Sequence, residues 1–253
     1  MAFEFLFQEF LDEIEALQAI TEGFIAIESI HVLPRLRTQL ENLRQGPWNG
    51  RVFWGIPRED PLKTTENEGS YERISLGRRG AHTVHAQISS VWEIIWSPHN
   101  NRKRRTSNTF QLVGIASTRV SIRRQAEDGS SKELAMWRVE VGDDDSPGCR
   151  LHVQILGEEE TLHFPKSFPV PRLPSIIVTP MTVIEYVLGE LFQDEWRERA
   201  FGQPRLIDQW RRIQSTRLIK LLAWQKRVVE SCTGPPWTSL KLDKLEPDTF
   251  LRK

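Results

Sequence analysis

The chain has 253 residues, 39% of them hydrophobic and 27% charged, with 34 basic and 34 acidic side chains that cancel to a formal net charge of zero. That length and hydrophobic content can bury a substantial core, which excludes a globally disordered polymer. Neutrality favours neither nucleic acid nor membrane, so the distribution of charge along the chain says more than its total.

Cys149 and Cys232 are too few for a disulfide scaffold and stand in no C-x-x-C or Cys/His zinc spacing. A reducing cytoplasm is the expected setting. The apolar run at the amino terminus has no basic leader and is interrupted by Glu9, Asp12, Glu13 and Glu15, unlike a signal peptide. No apolar run reaches the roughly 18 residues of a membrane-spanning helix, so no membrane association is expected.

Within residues 2–30, Phe3, Leu6, Phe7, Phe10, Leu11, Ile14, Leu17 and Ile20 recur at helical spacing with acids between them, which predicts a helix. Phe3, Phe5, Phe7 and Phe10 exceed what one buried stripe needs; they either pack in the core or leave an exposed remainder that marks a partner surface. Gly23 and Pro34 punctuate, and residues 36–44 read as a second helix ended at Gly46-Pro47. Residues 51–54 read as a short strand, and residues 57–69, polar and proline-bearing, as a mobile loop.

Strand patterns follow at 71–76, 83–89, 91–96, 110–124, 134–141 and 150–156, separated by turn residues at 77–80, 127–129 and 143–148. An antiparallel meander is expected. His82 and His85, three apart on a strand, face opposite ways and make a poor metal pair. Along the last three strands, Val120 and Ile122, then Trp137, Val139 and Val141, then Leu151, Val153 and Ile155 alternate with polar residues. If these apolar sets share a buried face, the other face carries Arg119, Arg123, Arg138, Glu140, Arg150, His152 and Gln154. A carboxylate and a histidine beside guanidiniums supply the base, the acid and the cations of metal-independent RNA cleavage. Glu140, His152, Arg138 and Arg119 are therefore the candidate catalytic residues. The wet face of an ordinary antiparallel sheet has the same composition.

Arg102, Lys103, Arg104 and Arg105 form a basic run between two strand patterns, able to reach phosphates or simply to be a solvated hairpin tip. Pro165, Pro169, Pro171 and Pro174 predict an extended strap in place of a strand. Thr179-Pro180 is a helix-start signal, and Met181, Ile184, Val187, Leu188, Leu191 and Phe192 give that helix one apolar face. Residues 205–230 read as a basic helix in which Arg211, Arg212, Arg217 and Lys220 join the candidates for binding nucleic acid or a partner protein. Residues 1–34 hold seven carboxylates and no Lys or Arg, whereas residues 205–227 hold seven Lys or Arg and one Asp. The two ends can pair within one chain or between copies in a homo-oligomer.

Trp-Arg-Val-Glu-Val at 137–141, Pro147-Gly148, Leu-His-Val-Gln at 151–154, Pro-Arg-Leu-Pro at 171–174 and the Thr-Pro helix start resemble uncharacterised bacterial families from toxin–antitoxin and phage-defence neighbourhoods. Toxin-like members carry several histidines on the corresponding strand, where this chain has His152 and then Gln154.

The expected fold is α+β, with N-terminal helices, a central mainly antiparallel sheet and C-terminal helices packed on one face. Residues 1–47 read as an acidic helical segment, 48–200 as the α+β core and 201–253 as a basic helical segment. No Walker loop, dinucleotide-binding fingerprint, H-E-x-x-H or serine elbow is present, and no cofactor or metal is expected. Three functions are consistent with these features: a cytoplasmic, non-enzymatic interaction module of a defence or toxin–antitoxin system, an RNase-like toxin, and a scaffold that binds its partner through the acidic N-terminal helix.

Overall fold

The computed structural model describes residues 4–45, 50–68, 83–98, 108–125, 130–142, 151–155, 172–176, 179–202, 204–231 and 233–235. Two long strands, β5 (Thr83–Pro98) and β6 (Asn108–Gln125), form the spine of one antiparallel sheet. The outer edge of β5 is paired piecewise by β2 (Val52–Trp54), β3 (Leu62–Lys63) and β4 (Asn67–Glu68). The outer edge of β6 takes β1 (Glu4–Leu6) at one end and β7 (Ser131–Val141) at the other; β8 (Leu151–Ile155) and β9 (Arg172–Pro174) continue the sheet.

Four helices, α1 (Phe7–Ile20), α2 (Val32–Arg44), α3 (Pro180–Gly202) and α4 (Pro204–Ser231), contribute to a single buried core with one face of this sheet. The α+β class and the helices on one face are as the sequence predicts. Alternation turns Ala86, Ile88 and Trp92 of β5, Ala116 and Val120 of β6, Val139 and Val141 of β7, and Leu151 of β8 toward the helices. An aromatic cluster seals the junction with α1: Phe10 lies 5.6 Å from Trp92 and 5.1 Å from Phe110, and Phe5 lies 5.6 Å from Phe110 between ring centroids. Each fully buried side chain of this size contributes roughly 1.5–3 kcal/mol. Met136, buried on the opposite face of the sheet, is outside that cluster.

Several local expectations are corrected. Residues 2–30 are not one helix, because β1 precedes α1 and pairs Phe5 with Phe110. Phe5, Phe7 and Phe10 are all buried, two on the helix and one from the sheet, and Phe3 lies outside the described residues. The polar loop at 57–69 contains β3 and β4, which borrow their hydrogen bonds from the long edge of β5. The patterns at 83–89 and 91–96 are one strand, in which Ser90 pairs in register with Thr118; a bulge follows at Glu93, which opposes Val113, Gly114 and Ile115. Gly114, at φ +127°, leaves room there for the Glu93 carboxylate. The end of the proline strap, Arg172–Pro174, enters the sheet as β9 at the end of the strand order, a position where proline's missing N–H is tolerated, while Pro165, Pro169 and Pro171 lie outside the described residues. The strand pattern at 71–76 lies outside the described residues.

Thr179 caps α3 as the sequence predicts. Its hydroxyl accepts from the Thr182 N–H at 3.1 Å, and the Thr182 hydroxyl accepts from the Thr179 N–H at 3.0 Å. The helical path breaks at Gln193 (φ 42°, ψ −106°), and Phe192 and Trp196 on either side close over Phe24, 4.9 and 5.3 Å away. Among the described residues no helix is long and apolar enough to cross a membrane.

The acidic and basic ends meet inside the chain. Glu13 of α1 is fully buried, and Oε1 of its carboxylate accepts hydrogen bonds from Arg217 and from Gln214 (2.8 Å) of α4, and from the Thr179 hydroxyl (2.8 Å) at the start of α3. Arg217 also approaches Glu9 at 3.7 Å and lies over the Phe10 ring.

Candidate functional site

The second face of the sheet carries two adjacent cross-strand rows, set by the register of β6, β7, β8 and β9. One row runs Ser117, Glu140, His152, Pro174; the next runs Arg119, Arg138, Gln154, Arg172. The alternation seen in the sequence therefore brings all four candidate catalytic residues together. Oε2 of Glu140 lies 3.2 Å from Nε2 of His152, and Oε1 accepts from the Ser117 hydroxyl at 3.2 Å. The hydrogen bond from His152 holds the Glu140 carboxyl below the ordinary carboxylate range against the opposing effect of burial, with Ser117 and the nearby Arg138 charge adding to it. His152 itself is only 2% exposed.

Arg119 and Arg138 are direct cross-strand neighbours, an arrangement of like charges that destabilises a sheet unless negative charge lies beside it. Part of that charge is Glu133, which lies 3.6 Å from both Arg119 and Arg123 and accepts from the Ser121 hydroxyl. Arg123 in turn lies opposite His85, whose imidazole is held below its ordinary value first by burial and then by charges that include Arg123.

At the β2 end of this face the sheet and the segment after β2 form a cleft of about 350 Å³, lined by Phe53, Arg58, Ser89, Ser117 and Arg119, together with Gln39 of α2. A larger concavity of about 630 Å³ lies between the end of α1 and the start of α2. Its acidic residues Glu15 and Glu22 face Arg37 (3.5 Å) and Arg199 (3.6 Å).

The remaining sequence candidates are dispersed. Arg102, Lys103, Arg104 and Arg105 belong to the β5–β6 connection and lie outside the described residues. Arg211 and Arg212 are exposed on α4, where Arg211 pairs with Asp208 at 2.8 Å; Lys220 is half-buried. Arg217 is buried against Glu13 and offers no guanidinium to a ligand. Of the α1 carboxylates, Glu9 and Glu13 lie against Arg217, Asp12 accepts from Gln8, and Glu15 is exposed with Arg37 3.5 Å away. Arg150 is outside the described residues.

Sequence reasoning missed Ser117, Glu133, Phe53 and Arg58. The first was legible in principle, since it continues the Arg119, Ser121, Arg123 alternation. Glu133 lies beyond a register shift between Ile122 and Arg123, and Phe53 and Arg58 reach the face only through the pairing of β2 with β5, which no local pattern signals. Among the described residues no group of three or more His, Cys, Asp or Glu side chains could hold a metal ion.

Compared with known proteins, the chain matches no family model, no curated protein and no solved structure.

Proposed function

We propose that the chain is a binding module whose polar sheet face engages single-stranded nucleic acid through its phosphates. The observation that carries this reading is the juxtaposition of Arg119 and Arg138 across β6 and β7, with Arg123 a further guanidinium on the same face. Four arginines, Arg119, Arg123, Arg138 and Arg172, share the face with Glu133 and Glu140, and Glu140 is itself engaged by His152. A phosphate bridging Arg119 and Arg138 would accept from both guanidiniums and release counterions, which is the main source of affinity for such ligands. The exposed Arg211 and Arg212, and the basic run at 102–105, would extend the cationic surface. A cytoplasmic bacterial defence or toxin–antitoxin setting goes with this reading, on the strength of the resemblance within residues 137–180.

Fluorescence anisotropy with labelled single-stranded RNA and DNA tests it. Arg138→Gln and Arg123→Gln should each weaken binding and reduce the slope of log K against log salt by about 0.7 per lost phosphate contact. Affinity and slope unchanged in both variants would overturn the assignment.

A second reading is favoured by the 3.2 Å contact of Glu140 with His152. In it the pair is the base and acid of metal-independent RNA cleavage, with Arg138 and Arg119 stabilising the phosphorane. The burial of His152 weighs toward the binding role, because the imidazole has little access to a substrate. RNA cleaved in the presence of EDTA, and spared by His152→Gln, would favour catalysis; intact RNA across varied substrates would eliminate it.

A further inference from the structure

We infer that the cleft at the β2 end of the polar face is a nucleobase pocket, in which one unpaired base stacks on Phe53 while its phosphate lies toward Arg119. This rests on the phosphate-binding reading of the same face and adds what the strand would present there. Phe53 is 67% exposed. Its neighbours Val52 and Trp54 pack with the core, so alternation turns the Phe53 ring toward the polar face, where it lines the cleft beside two guanidiniums, Arg58 and Arg119. A single exposed apolar side chain is commonplace. A flat ring inside a concavity that also holds cations and hydroxyls is what base stacking with phosphate neutralisation uses.

The volume, about 350 Å³, falls in the range of roughly 300–1,000 Å³ typical of small-ligand pockets and limits the occupant to about one nucleotide. Hydrogen-bonding groups converge on the same space. Gln39 offers an amide donor and acceptor suited to a base edge, and Ser89 a hydroxyl. Ser117 joins the cleft to the Glu140–His152 pair through its hydrogen bond to Glu140.

The floor is built by a close backbone approach. Gly55 has φ +151°, and a Cβ there would stand 2.2 Å from the Ser90 carbonyl oxygen. Beyond it the Ile56 N–H donates to the Ser90 hydroxyl at 3.0 Å and the Ser90 N–H to the Ile56 carbonyl at 2.8 Å. Phe53 therefore stands on a backbone held at both ends, which lowers the entropy lost when a base stacks on it. The one carboxylate opposite Phe53, Glu93, is compensated by Arg51 at 3.0 Å.

The test uses the full chain and two kinds of ligand. Saturation-transfer NMR with AMP and UMP should show transfer to the base protons, and ribose 5-phosphate should compete poorly. Phe53→Ala should abolish that transfer and weaken anisotropy-measured binding of a short single-stranded oligonucleotide by roughly 5- to 150-fold, the range of one lost stacking contact. Phe53→Leu, which keeps apolar bulk without the aromatic face, should also bind more weakly, and thermal melts should show both variants folded. Unchanged affinity in folded Phe53→Ala, or ribose 5-phosphate competing as well as AMP, would overturn the pocket. If Arg138→Gln weakens oligonucleotide binding and Phe53→Ala does not, the phosphate-binding face stands and the pocket falls. If AMP binds through Phe53 and no oligonucleotide is retained, the pocket stands without the face; if neither ligand binds, both fall.

Discussion

Replacing Arg217 with methionine should be among the most destabilising single changes in the protein. Glu13 is 0% and Arg217 5% exposed, so the variant leaves a carboxylate in the core with only the Thr179 hydroxyl and the Gln214 amide as donors, both on one oxygen. Removing one member of a buried pair costs about 3–5 kcal/mol, because the survivor keeps its desolvation penalty without its partner. Against a typical total of about 5–15 kcal/mol, that is a large fraction. Glu13→Gln should cost less, since Arg217 retains Glu9 at 3.7 Å and the new amide can still accept from Thr179. The double variant Glu13→Gln/Arg217→Met removes both charges and should recover much of the single-variant loss, so the two effects are strongly non-additive. Urea denaturation of the four proteins at pH 7 measures this directly. Equal costs for the two single variants, or a double variant as unstable as their sum, would refute the account of Glu13 as a charge that needs Arg217.

Three further outcomes follow from local geometry. Gly55→Ala forces a Cβ into the Ser90 carbonyl at a backbone conformation that side chains rarely adopt, and should cost at least about 1–3 kcal/mol in a chemical melt; a melt within error of wild type would mean that the segment simply moves. Burial raises the Glu185 carboxyl above its ordinary value, although a hydrogen bond from Trp196 opposes this. The folded state then holds its proton more tightly than the unfolded state, and stability falls as pH rises from the unfolded value through the folded one. Glu185→Gln should accordingly raise the midpoint at pH 7 and leave it unchanged near pH 4, as thermal melts at the two pH values would show. Glu140 has the opposite sign: its folded value is depressed, so its contribution is complete above the ordinary carboxylate value and is lost as pH falls through the depressed one. The midpoint difference between wild type and Glu140→Gln should shrink below pH 4, and a difference independent of pH would contradict the hydrogen bond to His152.

The polar face was legible because period-two alternation on three consecutive strands leaves little freedom in which residues share a side. Glu140 meeting His152 required only that neighbouring strands pair in sequence order, which they do. The helix start at Thr179-Pro180 was legible for a similar reason, being a local hydrogen-bonding signature. What escaped was set by distant partners. β1, β3 and β4 are too short to show periodicity and exist because β5 and β6 extend past their other neighbours and offer free edges. The role of Arg217 escaped as well: by pattern it was one cation among seven on a basic helix, and only the packing of α4 on α1 separates it from Arg211 and Arg212.

That packing makes α4 a structural part of the core. Trp210, Leu221, Trp224 and Val228 are buried along the helix. At roughly 1.5–3 kcal/mol each, their contact with the rest of the chain is worth on the order of 6–12 kcal/mol, and deleting them also strands Glu13. The sum is comparable to the whole margin of a typical domain. A chain ended after residue 203 should therefore lose its near-UV circular dichroism and be cut rapidly by protease within α1, whereas a cooperative melt of that fragment would show α4 to be dispensable. The opposite charges of the two ends close the helical face of the sheet and hold it shut. Arg119, Arg123 and Arg138 answer to no such packing requirement, since the helices meet the other side of their strands. The recognition role proposed above therefore falls on the polar face of the sheet, and the most basic helix of the chain serves the core through Arg217 and its buried apolar side chains.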